Sequence, residues 1–76
     1  MNKSQIRKSV FDMFNIQDEY IVSSKIDKNY ELYKLHDDLD VHASLEIDWL
    51  NKIYFFSYID EDGNLNTDEF NLIVLD

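Results

Sequence analysis

Cysteine and proline are absent from this 76-residue sequence, and glycine occurs once, at Gly63. Without cysteine there is no disulfide and no thiolate metal site, so stability has to come from packed apolar side chains. A loop that cradles phosphate needs several glycines, because bare backbone must approach the anion closely. The sequence therefore excludes a nucleotide-binding loop of that kind, and the lack of disulfides favours a cytoplasmic protein.

Long apolar runs are absent as well. A helix that crosses a bilayer needs about 20 consecutive apolar residues, and no stretch approaches that length. The first residues form a mixed polar pattern, which is not typical of a signal peptide. We expect one small domain over residues 1–76 with a thin core and no membrane association.

Basic residues are scarce: seven Lys and Arg stand against sixteen Asp and Glu, for a formal net charge of −9. Residues 1–15 hold three basic residues and one Asp, whereas residues 16–76 hold four lysines and fifteen carboxylates. Such a field repels nucleic acid and anionic membranes and attracts basic protein surfaces. We therefore expect no direct nucleic-acid binding; the alternative to a basic partner is that the acidity serves solubility alone.

The N-terminal segment has the spacing of an amphipathic helix. From residue 4 to residue 15, apolar side chains recur on one helical face at Ile6, Val10, Met13 and Phe14. Asn2 or Ser4 can cap its start, Gln5 follows Asn2 at the spacing of a capping box, and Asn15 is a suitable stop. We expect this helix to pack its apolar face on a sheet.

Beyond residue 15 the pattern favours strands. Residues 39–49 alternate without error, which predicts a strand with odd-numbered residues in the core and even-numbered residues facing water. Two hairpins surround it: residues 20–26 pair with 30–35, and residues 53–59 pair with 68–75 around a polar turn at 60–64. The predicted fold class is α+β, with the N-terminal amphipathic helix packed on a five-stranded antiparallel β-meander.

The 60–70 segment resembles part of an EF-hand calcium loop. Aligned on Gly63, the loop's early carboxylates fall on Asp60 and Asp62, and its last, bidentate ligand falls on Glu69. The first ligand position is Tyr58, and the flanking segments alternate like strands instead of repeating like helices. Two interpretations remain open: a calcium-binding module that uses these three carboxylates, or a plain acidic hairpin turn.

No constellation of catalytic residues is evident. His36 and His42 are six residues apart, about 20 Å on an extended strand, which is too far for one metal unless the chain folds back. We interpret His36 as part of a solvated connection and His42 as an outward-facing strand residue. No serine lies in a glycine-flanked elbow, and so small a domain has little room for a pocket. The sequence predicts no enzyme, no cofactor and no favoured metal site.

A candidate partner-binding surface lies on the alternating strand. Its outward carboxylates are Asp40, Glu46 and Asp48, and the neighbouring strand is expected to bring aromatic side chains beside them, at Tyr54, Phe56 and Tyr58. Carboxylates can take the place of phosphates opposite Arg and Lys, whereas Asp27 and Glu31, which flank a predicted turn, should act only through the diffuse field. The alternative is that another segment or a second copy covers the aromatics.

These features favour a small, acidic, non-enzymatic binding protein. We hypothesise that it inhibits or neutralises a basic, nucleic-acid-handling protein by charge mimicry of DNA. In size, charge and lack of catalytic motifs the chain is similar to small acidic phage inhibitors, such as anti-restriction and anti-CRISPR proteins, and to acidic immunity proteins. The rival hypotheses are the calcium-binding module and a structural or dimerisation component with incidental acidity.

Overall fold

The computed structural model describes residues 2–36 and 42–72. The elements follow in the order α1 (Lys3–Met13), a 3-10 turn (Asp18–Tyr20), β1 (Ile21–Ile26), β2 (Tyr30–His36), β3 (His42–Asp48), β4 (Ile53–Ile59) and β5 (Leu65–Asn71). The described strands form one antiparallel sheet in chain order, β1-β2-β3-β4-β5. The predicted α+β class and the meander order are therefore confirmed.

Helix α1 begins and ends where its terminal signals predict. The backbone N–H of Gln5 donates to Oδ1 of Asn2 at 2.9 Å, and the N–H of Asn2 donates to Oε1 of Gln5 at 3.1 Å, so both arms of the capping box form. Asn15 lies just past the helix with φ 55°, the left-handed conformation that stops helices. Ile6 and Val10 are buried, but Met13 is 51% exposed, so the buried stripe is narrower than predicted.

Phe11 of α1 and Phe14, the C-cap residue of this helix, contact one face of the sheet, which we call the inner face. Phe14 stacks on Phe56 with ring centroids 4.3 Å apart, and Phe11 meets Tyr33 edge to face at 5.0 Å. These rings adjoin one cluster of buried side chains, which contains Ile6, Val10, Tyr33, Leu35, Leu45, Ile47, Tyr54 and Leu72. Burial of this apolar surface is the main favourable term available to so small a chain.

The strand register assigns the remaining side chains to the opposite, outer face. On β3, Leu45 and Ile47 are fully buried on the inner face, whereas Glu46 and Asp48 alternate with them and are half-buried. The period predicted for this strand is therefore right; residues 39–41 lie outside the described residues. Three rows cross the outer face, Tyr30-Asp48-Ile53-Asn71, Leu32-Glu46-Phe55-Glu69 and Lys34-Ser44-Ser57-Thr67.

Strand β5 begins earlier than the sequence predicted. Its pairing starts at Leu65 opposite Ile59, not at Asp68. The reason is that the 60–64 turn is tight, with the N–H of Asp60 donating to the carbonyl of Asn64 at 2.9 Å, so that ladder pairing resumes at once. Residues 73–75 of the predicted strand lie outside the described residues.

Candidate functional site

The predicted aromatic members of the binding surface lie on the inner face. Tyr54 is only 2% exposed, and Phe56 is half-buried against Phe14. Their partners on β3 are the inward-facing residues, with Ile47 opposite Tyr54, Leu45 opposite Phe56 and Ala43 opposite Tyr58. The expectation that these aromatics stand beside Glu46 and Asp48 is therefore wrong. The 53–59 run is apolar or aromatic at nearly every position, so its alternation could not show which side chains face α1.

A different aromatic residue, Phe55, stands between carboxylates on the outer face. It lies opposite Glu46 on one side and opposite Glu69 on the other. Since neighbouring strands are about 4.8 Å apart, the two glutamates are separated by about 10 Å with the ring between them. Burial, followed by a hydrogen bond to Glu46, raises the pKa of Tyr30. We call Tyr30, Glu46, Phe55 and Glu69 the acidic patch.

The other predicted carboxylates do not join this patch. Asp48 closes the β3–β4 turn: its Oδ1 accepts the backbone N–H groups of Leu50 and Asn51 at 3.1 Å each, and its Oδ2 accepts Nδ2 of Asn51 at 2.8 Å. The side-chain bond from Asn51, followed by the backbone bonds, holds the pKa of Asp48 below its ordinary value. Asp40 lies outside the described residues. Glu46 is thus the predicted carboxylate that the structure places in the acidic patch.

The three carboxylates of the calcium hypothesis do not come together. Asp60 wraps its own turn, because its Oδ1 accepts the N–H groups of Asp62 at 3.0 Å and Asn64 at 2.9 Å, while its Oδ2 accepts Nδ2 of Asn66 at 2.8 Å. Glu69 lies opposite Phe55, four residues along β5 from Leu65, or about 13 Å from the turn. Within residues 2–36 and 42–72 no group of three or more His, Asp or Glu is placed to hold a metal ion. Hairpin pairing carries Glu69 away from the turn, and the calcium geometry is not formed.

Glu31 is the largest departure from the sequence-based expectation. It is only 2% exposed and accepts hydrogen bonds from Nε and a terminal nitrogen of Arg7 at 2.6 and 2.7 Å, from Nε1 of Trp49 at 2.7 Å, and from the hydroxyl of Tyr33. Burial opposes ionisation, but these bonds outweigh it and hold the pKa of Glu31 below its ordinary value. Glu31 therefore links α1 to the sheet. The alternation of the 30–35 run places Glu31 and Tyr33 on the same face, and this pattern could have indicated that Glu31 faces inward.

The two histidines are adjacent in space. His36 pairs with His42 where the described part of β2 meets β3, and their rings stack with centroids 4.4 Å apart. The expected separation and the assignment of His36 to a solvated connection are both wrong, because His36 belongs to β2 and pairs with His42 of the antiparallel strand β3. Both rings line a cavity of about 390 Å³ beside the Lys34 row of the outer face.

The acidity of the described chain is concentrated in its second half. Residues 2–36 hold six Lys and Arg and five Asp and Glu, whereas residues 42–72 hold one lysine and seven carboxylates. Strands β3 to β5 and their turns are therefore strongly anionic, while α1, β1 and β2 are nearly neutral. A cationic partner would be drawn to the β3–β5 side.

A scan of the sequence against protein-family models found no match, and searches of curated proteins and of solved structures found none either. Among the described residues, no helix has the length and apolar character needed to cross a membrane. The function is therefore inferred from the charge distribution and geometry of the chain itself.

Proposed function

We propose that this chain is a non-enzymatic binding protein that docks the acidic outer surface of β3–β5 on a cationic surface of a nucleic-acid-handling protein, and so inhibits or neutralises it. One observation carries the proposal: Glu46 and Glu69 flank Phe55 on the outer face, within a half of the chain that holds seven carboxylates and one lysine. The finer proposal is mimicry of DNA, because the cationic protein surfaces that attract such carboxylates are also the surfaces that bind phosphate groups.

The acidic patch has the chemistry of an arginine-binding surface. A guanidinium group can form two parallel hydrogen bonds to a carboxylate and can also stack on an aromatic face. Phe55 is half-buried between the two glutamates, so an arginine that pairs with either of them can lie against the ring. With about 10 Å between the glutamates, two arginines of the partner can be engaged together.

The same charges disfavour self-association through this patch. If two copies of the chain met through this patch, Glu46 and Glu69 of one copy would face the same carboxylates of the other. Repulsion between like charges would destabilise such an interface. A surface that binds phosphate groups presents the opposite charge. The patch therefore fits a basic protein better than it fits a homodimer, which was the structural alternative.

Two matched double variants test the proposal. Glu46→Gln with Glu69→Gln neutralises the patch, and Glu19→Gln with Asp27→Asn removes the same charge from exposed positions in the other half. Each chain is immobilised and exposed to a cell extract freed of nucleic acid, at about 50 mM salt, where charge attraction is strong. Retained proteins are then eluted with duplex DNA at constant ionic strength and identified.

We expect wild type and the Glu19/Asp27 variant to retain the same protein, which duplex DNA elutes, and the Glu46/Glu69 variant to bind it about tenfold more weakly. The matched loss of charge separates the patch from the diffuse field. Retention that survives duplex DNA, or that is equal in the two double variants, would contradict charge mimicry through this face.

A further inference from the structure

A second candidate binding site, separate from the acidic patch, is the cavity beside the two histidines. It has a volume of about 390 Å³, within the range of about 300–1,000 Å³ that small-molecule sites occupy. The wall at one end is the stacked pair of His36 and His42, and the Lys34 row of the outer face, with Ser44 and Ser57, forms a polar strip along it. We call this cavity the histidine groove.

The described residues that line the groove differ in charge from the chain as a whole. The chain carries sixteen Asp and Glu in 76 residues, yet no described residue that lines the groove is a carboxylate. The lining does include Lys34 and both histidines of the chain. The ammonium group of Lys34 provides positive charge for an anion, and the imidazole ring of His42 provides a further N–H donor.

Three of the other lining side chains are apolar and largely exposed. Val22 is 68% exposed, Leu65 is 67% exposed and Ile59 is 46% exposed, and all three border the groove. Covering large apolar side chains that are left in water around a single cavity is favourable, because it removes apolar surface from water. The groove thus offers exposed apolar side chains next to the ammonium group of Lys34.

We propose that the histidine groove binds a small organic anion, a carboxylate carried on an alkyl or aryl group. Its carboxylate would accept hydrogen bonds from Lys34 and His42, and its apolar body would cover Val22, Ile59 and Leu65. This site goes beyond the function proposed above, because the groove and the acidic patch have no residue in common. Either site can therefore fail its test without the other.

A pair of probes with one apolar body and opposite head groups tests the charge. Octanoate and octylammonium are titrated separately into the ¹⁵N-labelled protein, and backbone amide shifts are followed by NMR. Octanoate should give saturable shifts at His42, Ser44 and Ser57, while octylammonium should bind there at least about tenfold more weakly, since its charge matches that of Lys34. Equal binding of the two probes, or no saturable shift by octanoate up to about 20 mM, would overturn the proposal.

Two exposed lysines on the outer face supply matched variants. Lys34 lines the groove, whereas Lys25, opposite Leu32, is not a lining residue. Lys34→Gln should weaken octanoate binding about fivefold, and Lys25→Gln, with the same charge change, should leave it unchanged. Leu65→Asn should weaken octanoate as well, because it removes one of the exposed apolar side chains of the groove.

The alternative occupants give different results. If octanoate shifts concentrate on α1 or the inner face, or if Lys25→Gln weakens binding as much as Lys34→Gln, the groove is not the site. If light scattering shows that the protein alone dimerises and that Leu65→Asn abolishes the dimer, a second copy covers the exposed apolar side chains and the small-anion proposal is wrong.

Discussion

The two faces of the sheet treat a glutamate in opposite ways. On the inner face, Glu31 is enclosed, and its two carboxylate oxygens accept hydrogen bonds from Arg7, Tyr33 and Trp49. On the outer face, Glu69 is exposed and Glu46 is half-buried, with Phe55 between them. A carboxylate whose bonds are all made inside the molecule stabilises the fold, whereas carboxylates at the surface remain available to a partner. The position of an acid, not the net charge, therefore distinguishes a carboxylate that is bound within the fold from one that lies at the surface.

The largest effect should come from Glu31→Ala, which leaves Arg7, Tyr33 and Trp49 without their shared acceptor. Breaking a buried ion pair by removing one member costs about 3–5 kcal/mol of the free energy of unfolding. Urea unfolding measures this, with Glu46→Ala on the outer face as the matched control, expected to cost less than about 1 kcal/mol. If both variants lost the same free energy of unfolding, the inner glutamate would stabilise the fold no more than the outer one, contrary to this account.

Phe14→Ala should cause the next largest loss in the free energy of unfolding. The Phe14 ring stacks on Phe56 at 4.3 Å and lies 5.6 Å from Phe70, so its loss leaves a cavity between α1 and the inner face. Truncation of such a ring costs about 3 kcal/mol, a large part of the total stability of so small a domain. Phe55→Ala, on the outer face, is the comparison and should cost less. Near-wild-type melting of Phe14→Ala would mean that the packing of this ring on the inner face contributes little to stability.

A smaller effect is expected from acid. Because the folded-state pKa of Glu31 lies below the ordinary value of 4.5, its ionised form stabilises the fold at pH values above that ordinary value. That contribution is lost as the pH falls through the lowered folded-state pKa. Urea midpoints measured near pH 7 and near pH 3 should therefore differ less in Glu31→Gln than in wild type. A variant with the same acid sensitivity as wild type would show that other carboxylates dominate.

The smallest effect should come from the acidic patch itself. Glu46→Gln with Glu69→Gln should change the free energy of unfolding by no more than about 0.5 kcal/mol, because the amide of residue 46 can still accept the hydrogen bond from Tyr30. The thermal midpoint measures this. A large loss of stability would place the patch among the structural elements and weaken its assignment to recognition.

Sequence patterns gave the elements and their order, and they failed where pairing between strands decides the answer. Asn2, Gln5 and Asn15 act locally, so the bounds of α1 followed from them. The 53–59 run has no clean alternation, and only its register against β3 shows that Phe55, not Phe56, faces outward.

The same limit applies to the candidate sites. The stacking of His36 on His42 and the distance of Glu69 from Asp60 depend on where the chain folds back, which spacing along the sequence does not state. Glu31 is a different case. The alternation of the 30–35 run indicates that Glu31 faces inward. A buried carboxylate is unfavourable unless it is paired, however, and the sequence does not show that Arg7 lies beside it.

The most direct test of whether the outer face binds cationic groups is to map the residues that a cationic probe contacts. Nona-arginine is titrated into the ¹⁵N-labelled protein at about 50 mM and about 500 mM salt, and amide shifts are mapped on the chain. At low salt we expect the largest shifts around Glu46, Phe55 and Glu69, with little change in α1, and we expect most of these shifts to vanish at high salt. Shifts centred on α1 or on residues 18–27, or shifts that persist at high salt, would contradict recognition through the acidic outer face.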